Sequence, residues 1–461
     1  MEKLDISNYN NFFFIGVAGT GMSAIAQYLT GIGKNVSGSD RQFSTFPKIE
    51  TQQQLEAKNI KCFPQDTSEI NSNIEVVVVS TAIEPNVPEY QKALNLGLKI
   101  VMRSDLLAAI SRTKFTVAVS GTSGKSTVTA MIYHILNQCK TNPSVISGAG
   151  LVCLQENGEI GNAVAGNGEI LIIEADESDG SLVKYNPEIG IILNIDKDHK
   201  EIEDLIELFK IFKANTSKKL IVNGFQQRSK LLSQNLDFDF GFVENVGFSG
   251  TDFKQKGFNI SFKINNIQFD VPQIGKHNAE NTLAAVSAAF ACGISIEKSA
   301  EAMKNYKGIY RRHQIIKTKN NITLIDDYAH NPAKLSASIK ACQFEGQKLI
   351  VWFQPHGFVP TKFLKSDFIK EISESLRTDD EIWMSEIYFA GGTVTKDISS
   401  DDLILEIKKN GRNAFFISNR NLFAQNIKSK LNSGDIILLT GARDPSLSDF
   451  ADEVSKAIFE N

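Results

Sequence analysis

Short apolar runs alternate with helical stretches along most of this chain. In the first third, such runs occupy Asn11–Ile15, Glu75–Ser80 and Lys99–Met102, and the helical stretch Met22–Leu29 follows the first of them. Runs that are apolar at nearly every position, rather than at alternate positions, are typical of parallel strands covered on both faces. The pattern therefore predicts an α/β fold whose N-terminal domain is Rossmann-like, with a doubly wound parallel sheet.

The same alternation resumes in two further blocks. Apolar runs at 169–173, 189–193 and 219–222 predict a second parallel sheet, whereas residues 254–270 alternate in the manner of antiparallel strands. From about Tyr310, runs at 323–325, 348–353, 414–417 and 435–439 predict a third, again Rossmann-like, domain. The predicted domains are 1–110, 111–309 and 310–461, a number that suits a chain of 461 residues.

Composition narrows the class of protein. The 49 basic and 53 acidic residues give a net charge of -4, which lacks the basic excess of a nucleic-acid-binding protein. No apolar stretch approaches the roughly 18 residues that span a bilayer, and the start does not resemble a signal peptide. We therefore expect a cytoplasmic protein without a membrane partner. The five cysteines form no C-x-x-C pair, so neither a disulfide nor a zinc site is expected.

A glycine-rich segment between the run 114–119 and a predicted helix carries the strongest chemical signal. It contains Gly121, Thr122, Gly124, Lys125, Ser126 and Thr127. At such a turn the backbone N–H groups converge on phosphate oxygens, a lysine reaches the outer phosphates, and a hydroxyl holds magnesium. Because only two residues separate Gly121 from Gly124, the loop is a variant of the usual phosphate-binding loop. The alternative is a surface turn that contains a lysine by chance.

Acidic residues follow two strands of the predicted second sheet. Glu174 to Asp179 come directly after one buried run, and Asn194 to His199 come directly after the next. If these strands are neighbours, both segments meet the phosphate loop at one sheet edge, and Ser126, Glu174 and His199 could hold magnesium. A solvated acidic loop and an ordinary hydrogen-bonded histidine are the alternatives.

Other candidate residues lie at turns between predicted strands and helices. Gly19 and Gly21 would let backbone approach a pyrophosphate, and Asp40 would accept from a ribose or cap a helix. Asn278 would read an adenine edge or cap its helix. The two adjacent arginines, Arg311 and Arg312, could clamp a phosphate, or one could be solvated while the other forms a salt bridge between domains. The last group, Asp327 and His330, lies after a strand of the third block.

Taken in this order, the segments resemble the Mur ligase superfamily, ATP-dependent amide-forming enzymes of peptidoglycan (cell wall) precursor synthesis. The resemblance covers nearly the whole chain. It implies a UDP-sugar-binding domain, a central ATPase and a C-terminal domain that brings the amino compound. The segments 16–23, 36–40, 174–179 and 354–356 are most similar to the branch that couples L-alanine to UDP-N-acetylmuramate.

The resemblance assigns a role to each candidate residue. It implies that the sugar nucleotide contacts Gly19, Gly21, Met22, Ser23 and Asp40; that ATP contacts Gly121, Thr122, Gly124, Lys125, Ser126, Thr127, Asn278, Arg312 and Asp327; that Mg²⁺ lies at Ser126, Glu174 and His199; and that the substrates also contact His330 and His356. Lys125, Glu174 and His199 would be catalytic. A substrate carboxylate would attack the γ-phosphate of ATP, and an amine would then displace phosphate from the acyl phosphate.

The chain departs from the family pattern where the amino substrate is expected. Two arginines usually follow the Gln-Pro-His sequence, and here Gly357 and Pro360 stand in their places, so Arg443 becomes a candidate replacement. L-Alanine remains the favoured amine. The alternatives are a recycling ligase that joins a preformed peptide to UDP-N-acetylmuramate, a poly-amino-acid ligase, and a non-catalytic nucleotide-binding regulator. We expect a monomer or a weak homodimer.

Overall fold

The fold is described from a computed structural model, for residues 4–196, 201–343, 347–389 and 395–460. The chain forms two compact units. One comprises residues 1–255, 259–272 and 276–310, and the other comprises residues 256–258, 273–275 and 311–461. The predicted α/β class is confirmed in both, because parallel strands alternate with helices in each unit.

The first unit begins with a five-stranded, wholly parallel sheet. Its elements are β1 (Asn11–Ile15), α1 (Thr20–Gly31), β2 (Asn35–Asp40), α2 (Glu50–Ala57), β3 (Lys61–Pro64), β4 (Val76–Val79), α3 (Pro88–Asn95), β5 (Lys99–Met102) and α4 (Arg103–Ser111). The strand order is β3-β2-β1-β4-β5. The carboxyl ends of all five strands therefore lie at one edge of the sheet, where the glycine turn after β1 is found.

A six-stranded sheet follows in the same unit. Its elements are β6 (Phe115–Ser120), α5 (Lys125–Gln138), β7 (Ser144–Ile146), α6 (Val152–Gln155), β8 (Ala163–Val164), β9 (Ile170–Glu174), β10 (Ile189–Ile192), α7 (Ile202–Asn215), β11 (Lys219–Val222) and α8 (Gln227–Lys230). The strand order is β11-β10-β6-β9-β7-β8, and only β8 runs antiparallel to its neighbour. The phosphate loop thus leaves a central strand.

A smaller sheet and two helices complete the first unit. The elements are β12 (Phe240–Gly241), β13 (Phe248–Lys256), β14 (Asn259–Ile264), β15 (Ile267–Val271), α9 (Lys276–Ala291) and α10 (Ile296–Met303). The prediction of antiparallel strands is confirmed for the hairpin of β14 and β15, whose residues alternate between buried and exposed.

The second unit is built on a six-stranded sheet of order β16-β17-β21-β18-β19-β20. Its elements are β16 (Gln314–Lys319), β17 (Ile322–Asp327), α11 (Pro332–Ala341), β18 (Leu349–Gln354), α12 (Phe358–Phe363), α13 (Lys365–Ser375), β19 (Glu381–Met384), α14 (Ser400–Lys409), β20 (Asn413–Phe416), α15 (Phe423–Lys428), β21 (Ile436–Gly441) and α16 (Leu447–Phe459). All strands are parallel except β16, which forms a hairpin with β17.

Burial explains why strands such as β1 and β4 are apolar at nearly every position. On β1, Phe12 and Phe14 pack into a core that also contains Ala118 of β6, whereas Phe13 and Ile15 pack into a second core on the opposite face of the first sheet. A strand buried on both faces favours apolar side chains at nearly every position. Across the described ranges, every helix falls short of the length or the apolar character that a membrane span requires.

Candidate functional site

The phosphate loop runs from the end of β6 to the start of α5, as predicted. Gly121 has φ +138° and Gly124 has φ +86°, backbone angles that residues other than glycine rarely adopt. A Cβ atom at Gly121 would also lie 2.9 Å from Cβ of Leu193. These two positions therefore require glycine, which argues against a surface turn that contains lysine by chance.

Asn194, in the segment after β10, holds the loop from one side. Its Oδ1 accepts hydrogen bonds from the Thr122 hydroxyl and the Ser123 backbone N–H, both at 2.8 Å, and its Nδ2 donates to the Ser123 carbonyl at 3.0 Å. The Thr122 hydroxyl in turn accepts from the Asp196 backbone N–H. Three bonds from one side chain fix the loop conformation before any ligand arrives.

Lys125 extends from the loop to the acidic segment after β9. Its Nζ lies 2.7 Å from Oε2 of Glu177 and 3.6 Å from Oδ1 of Asp176, and it also donates to the Gly121 carbonyl at 2.8 Å. Burial alone would lower the pKa of Lys125, but the two carboxylates outweigh it and raise that pKa. Burial raises the pKa of Glu177. The lysine is therefore a cation whose charge is matched within the protein.

Glu174, the last residue of β9, lies beside the hydroxyl of Ser126. Its Oε2 accepts a hydrogen bond from Ser126 Oγ at 3.0 Å, and its Oε1 accepts from Ser147 Oγ at 2.7 Å and from the Gly148 backbone N–H at 2.6 Å. The structure thus brings together Lys125, Ser126 and Glu174, as predicted. His199 lies outside the described residues, so its place in this group stays a prediction.

One detail of the predicted arrangement is wrong. The strands that precede the acidic segment and Asn194, β9 and β10, are not neighbours, because β6 lies between them and pairs with both. Each segment still reaches the phosphate loop, since the loop leaves the strand that the two share as a neighbour. The crossover from β9 to β10 passes one strand, which the length of the segment between them did not reveal.

Asn278 lies in the first turns of α9, close to the phosphate loop. Its side chain is buried, and its Oδ1 accepts from Asn281 Nδ2 at 3.2 Å. A Cβ atom at Gly124 would lie 2.8 Å from Oδ1 of Asn281, so the start of α9 contacts the loop. The predicted adenine contact of Asn278 is compatible with this position and stays a prediction.

At the first sheet, the glycine turn is held by Asp40. The Asp40 carboxylate accepts from the Ala18 backbone N–H at 3.1 Å and also caps the next turn by accepting from the Gln42 N–H at 3.1 Å. Gly19 is the N-cap of α1, and Gly21 lies in its first turn. The alternative role of Asp40 as a cap is therefore realised, and the ribose contact stays a prediction.

The side chains of Met22 and Ser23 point into the protein. Met22 is packed in the first core, and the Ser23 hydroxyl donates to the Thr20 carbonyl and accepts from Asn162 Nδ2. Their backbone N–H groups both donate to the Gly19 carbonyl. A contact of these two residues with the sugar nucleotide stays a prediction. In the structure, their side chains pack and hydrogen-bond within the protein and so stabilise the start of α1.

In the second unit, the two adjacent arginines have different environments. Arg311 is buried and pairs with Asp326 at 2.7 Å, inside this unit, whereas Arg312 is exposed with its guanidinium 5.7 Å from the Tyr328 ring centroid. Asp327 accepts from the His313 backbone N–H at 3.0 Å. Burial alone would raise the pKa of Asp327, but His313 and Arg312 lower it. Arg312 and Asp327 thus lie close together, as their predicted shared role requires.

His330, His356 and Arg443 gather at the carboxyl ends of β17, β18 and β21. The rings of His330 and His356 are 5.6 Å apart, and Gln354 at the end of β18 pairs with Gly441 at the end of β21. Burial, together with His330 and Arg443, lowers the pKa of His356 to about 4. Within the described residues, Nδ1 of His356 is buried and has no hydrogen-bond partner. This edge carries a polar atom that a ligand could satisfy.

Gly357, the first of the two positions that lack the expected arginine, is the N-cap of α12 and has φ +73°. A Cβ atom there would lie 3.2 Å from Cδ of Pro360, so the two departures from the family pattern contact each other. Beside them, Phe358, Glu386, Phe389 and Lys396 line part of a cavity of about 480 Å³. The Lys396 ammonium lies 4.6 Å from the Phe389 ring centroid. Among the described residues, the cavity wall is therefore aromatic and charged, and it includes no arginine.

Several residues at the site received no role from the sequence. Glu177 belongs to the acidic segment and Asn194 opens the segment after β10, so their positions were recognised without their contacts. Arg103, whose Nη2 lies 3.4 Å from Oδ2 of Asp179, directly follows the run 99–102, and Glu174 was identified by a similar position at the end of an apolar run. Ser147 and its bond to Glu174 carried no such signal, because they depend on how β7 packs against β9.

Three family models match consecutive parts of the chain. Residues 11–115 match the model described as Mur ligase family, catalytic domain; residues 119–289 match the Mur ligase middle domain; and residues 311–443 match the Mur ligase, glutamate ligase domain. The three matches follow one another in the order of the three predicted domains.

Curated relatives align over almost the whole chain. A protein of Dictyoglomus turgidum named UDP-N-acetylmuramate--L-alanine ligase is 34% identical over 455 residues, covering 94% of each chain, and one of the same name from Sulfurihydrogenibium sp. is 32% identical over 461 residues, covering 97% of each. A solved UDP-N-acetylmuramate-alanine ligase from Thermotoga maritima is similar in fold, with a TM-score of 0.80 at 24% identity over 97% of this chain and 98% of that chain.

Proposed function

Because the chain belongs to the Mur ligase family, we propose that it is an ATP-dependent ligase that joins the carboxylate of UDP-N-acetylmuramate to the amine of L-alanine. The names of the full-length relatives support the two substrates. The observation that carries the proposal is the meeting of Lys125, Ser126 and Glu174 at the phosphate loop. A cation, a hydroxyl and a carboxylate at one loop are the groups that phosphoryl transfer from ATP requires.

The oxygens of Ser126 and Glu174 fit a magnesium ion that is shared with ATP. Mg²⁺ prefers oxygen ligands and takes only one or two from protein when phosphates supply others. Within the described ranges, no group of three or more His, Cys, Asp and Glu residues could form a site without phosphates. When bound, the ion would neutralise charge on the transferred phosphoryl group. The bonds from Ser147 and Gly148 keep the Glu174 carboxylate oriented.

The reaction proceeds in two steps. The substrate carboxylate attacks the γ-phosphorus of ATP, which forms an acyl phosphate and releases ADP. Lys125 stabilises the negative charge on the γ-phosphate oxygens in the transition state, and for this its ammonium exchanges Glu177 for phosphate. The amine then attacks the acyl carbon, a proton leaves the nitrogen, and inorganic phosphate is expelled as the amide forms.

The amino substrate would bind at the edge formed by His330, His356 and Arg443. Arg443 is exposed, and its guanidinium can hold a carboxylate in the bidentate geometry that the missing arginine pair would have provided. The buried Nδ1 of His356 offers a further polar contact. The exposed cation is therefore our candidate for the carboxylate of L-alanine.

The proposal is tested by phosphate release from ATP, Mg²⁺ and UDP-N-acetylmuramate with a panel of amino acids and short peptides. We expect strong stimulation by L-alanine and product of the mass of UDP-N-acetylmuramoyl-L-alanine. Stimulation only by a peptide would identify the recycling activity instead, and stimulation by none would overturn the ligase proposal. Omission of magnesium, and the Lys125→Ala variant, serve as blanks. The oligomeric state and the cytoplasmic location stay predictions.

A further inference from the structure

Helix α1 of the first sheet packs against β8, the edge strand of the second sheet. At the C-terminal end of α1, a Cβ atom at Gly31 would lie 2.6 Å from Cβ of Ala165, which follows β8. Nearer its N-terminal end, Ser23 and Gln27 are 1% and 7% exposed, and a spacing of four residues places them on one face of the helix. Buried polar side chains are unfavourable unless they are hydrogen-bonded. The partner of these two residues therefore determines how α1 is held on the second sheet.

That partner is Asn162, which directly precedes β8 and is fully buried. Its Oδ1 accepts a hydrogen bond from Gln27 Nε2 at 2.7 Å. Its Nδ2 donates to the Ser23 hydroxyl at 3.0 Å and to the Thr20 carbonyl at 2.9 Å. Because three hydrogen bonds from one side chain reach three residues of α1, they fix both the position and the rotation of the helix against β8.

The main chain of Asn162 continues the connection to the phosphate loop. Its carbonyl accepts from the Ser147 backbone N–H at 2.9 Å. The Ser147 hydroxyl donates to Oε1 of Glu174 at 2.7 Å, and Oε2 of the same carboxylate accepts from Ser126 Oγ at 3.0 Å. A continuous series of hydrogen bonds thus joins helix α1 of the first sheet to the carboxylate beside the phosphate loop.

The proposed reaction needs reacting groups from both sheets. The carboxylate of UDP-N-acetylmuramate is expected on the first sheet, and the γ-phosphate of ATP is expected on the second. Phosphoryl transfer needs the attacking oxygen in line with the leaving oxygen and about 3–3.5 Å from the phosphorus, and a misplacement of about 1 Å can cost about 100-fold in rate. The placement of α1 relative to Glu174 therefore bears on the transfer step.

We propose that Asn162 is a positioning residue for the transfer step, because it holds α1 and Glu174 in the relative placement that brings the attacking carboxylate to the phosphate. The inference rests on the proposed function, which supplies the two substrates. Asn162 acts through α1 and Ser147 and touches neither substrate. Loss of its side chain should therefore slow the transfer and leave the affinity for each substrate alone unchanged.

The test compares Asn162→Ala with the wild type in the full-length chain. We expect kcat for phosphate release with L-alanine, UDP-N-acetylmuramate, ATP and Mg²⁺ to fall about 10- to 100-fold. Calorimetric titration with UDP-N-acetylmuramate, and separately with Mg²⁺ and a non-hydrolysable ATP analogue, should give the dissociation constants of the wild type. A merely structural role would lower the melting temperature without lowering kcat, so kcat is measured well below the melting temperature of the variant.

A second variant, Gln27→Met, removes one of the three bonds to Asn162 and keeps an unbranched side chain of similar length. Its kcat should fall less than that of Asn162→Ala. Added to Asn162→Ala it should cause no further loss, because the bond is already gone. The control is Asn215→Ala, which removes a hydrogen bond of 2.9 Å from a side-chain amide to the Val183 carbonyl elsewhere in the same unit. The control should keep the kcat of the wild type.

The outcomes are distinguishable. If the wild type is active and folded Asn162→Ala keeps its kcat, the inference is overturned and the proposed function stands. Weaker binding of either ligand alone by Asn162→Ala also overturns the inference, because the residue would then serve binding. If Asn162→Ala does not fold, an unchanged kcat in Gln27→Met has the same meaning. If the wild type releases no phosphate with any amine, the proposed function is overturned and the inference falls with it.

Discussion

The polar and charged groups at two sheet edges of this molecule differ in whether they already have partners within the protein. At the phosphate loop, the Lys125 cation and the Ser126 hydroxyl are both bonded to carboxylates of the same segment, Glu177 and Glu174. At the edge of the second unit, Arg443 makes no ion pair among the described residues, and the buried Nδ1 of His356 has no partner there. At the first edge, a ligand must displace carboxylates that already bind the lysine and the hydroxyl. At the second edge, the guanidinium and the imidazole nitrogen can bind a ligand without displacing a described residue.

The difference follows from what each edge is proposed to bind. Phosphate transfer from ATP is common to the whole family. In this chain the phosphate loop, its lysine and the carboxylate at the end of β9 could be identified from their positions after apolar strands. The amino substrate differs between members of the family, and there Gly357 and Pro360 replace the expected arginines. Preformed contacts at the loop reduce the reorganisation that the common step needs. The open edge leaves specificity to a few exposed groups.

The largest effect is expected at the phosphate loop. Lys125→Ala removes the charge that stabilises the transferred phosphoryl group, and we expect kcat to fall about 100- to 1,000-fold or more. Because the step is common to every amine, the loss should be equal for L-alanine and for any other accepted amine. Phosphate release measured with each amine checks this.

A matched control for that variant is Lys210→Ala, which removes an exposed lysine whose ion-pair partner among the described residues is Glu207 on α7. Its activity should match the wild type. A loss from Lys125→Ala that depends on the amine would contradict the comparison, because it would couple the loop to amine choice.

The parts of the site that could be predicted are those set by local sequence. Gly121, Gly124 and Lys125 are identified by their spacing after an apolar strand, and Glu174 by its place at the end of another. The bonds of Glu174 to Ser147 and of Lys125 to Glu177 were not predictable, because they join separate strands and loops. Strand order was missed for a similar reason, since spacing does not say that β6 lies between β9 and β10.

The next effect is expected at Arg443. If its guanidinium holds the carboxylate of the amino acid, Arg443→Ala should raise KM for L-alanine by about 10- to 100-fold while KM for ATP stays unchanged. Arg443→Lys should lose less, because the charge remains. Lys409→Ala, an exposed cation of the same unit, is the control. An unchanged KM for L-alanine in Arg443→Ala would remove this residue from the amine site.

A smaller effect is expected at Gly357 and Pro360, the two positions that lack the expected arginines, and it tests whether these two residues depend on each other. Gly357→Ala places a side chain at φ +73° and crowds Pro360, so we expect a loss of about 1–2 kcal/mol in the free energy of unfolding. In a Pro360→Ala background the loss should be smaller, because the crowding contact is gone. Urea unfolding of the two single variants and the double variant measures the coupling. Strictly additive losses would mean that the two departures are independent.

The smallest effect concerns pH. Burial, with His330 and Arg443 nearby, lowers the pKa of His356 from 6.5 to about 4 in the folded protein. The unfolded chain therefore binds a proton first as the pH falls, so this histidine makes the folded state progressively less stable between about pH 6.5 and about pH 4. His356→Gln removes the titrating group, and its melting temperature should fall less steeply across that window than that of the wild type. Saturating L-alanine with UDP-N-acetylmuramate should sharpen the contrast if the imidazole contacts the ligand as a neutral group. Parallel pH profiles of the two proteins would show that folding does not shift the pKa of His356. Arg443 alone would then support the proposed amine site at this edge.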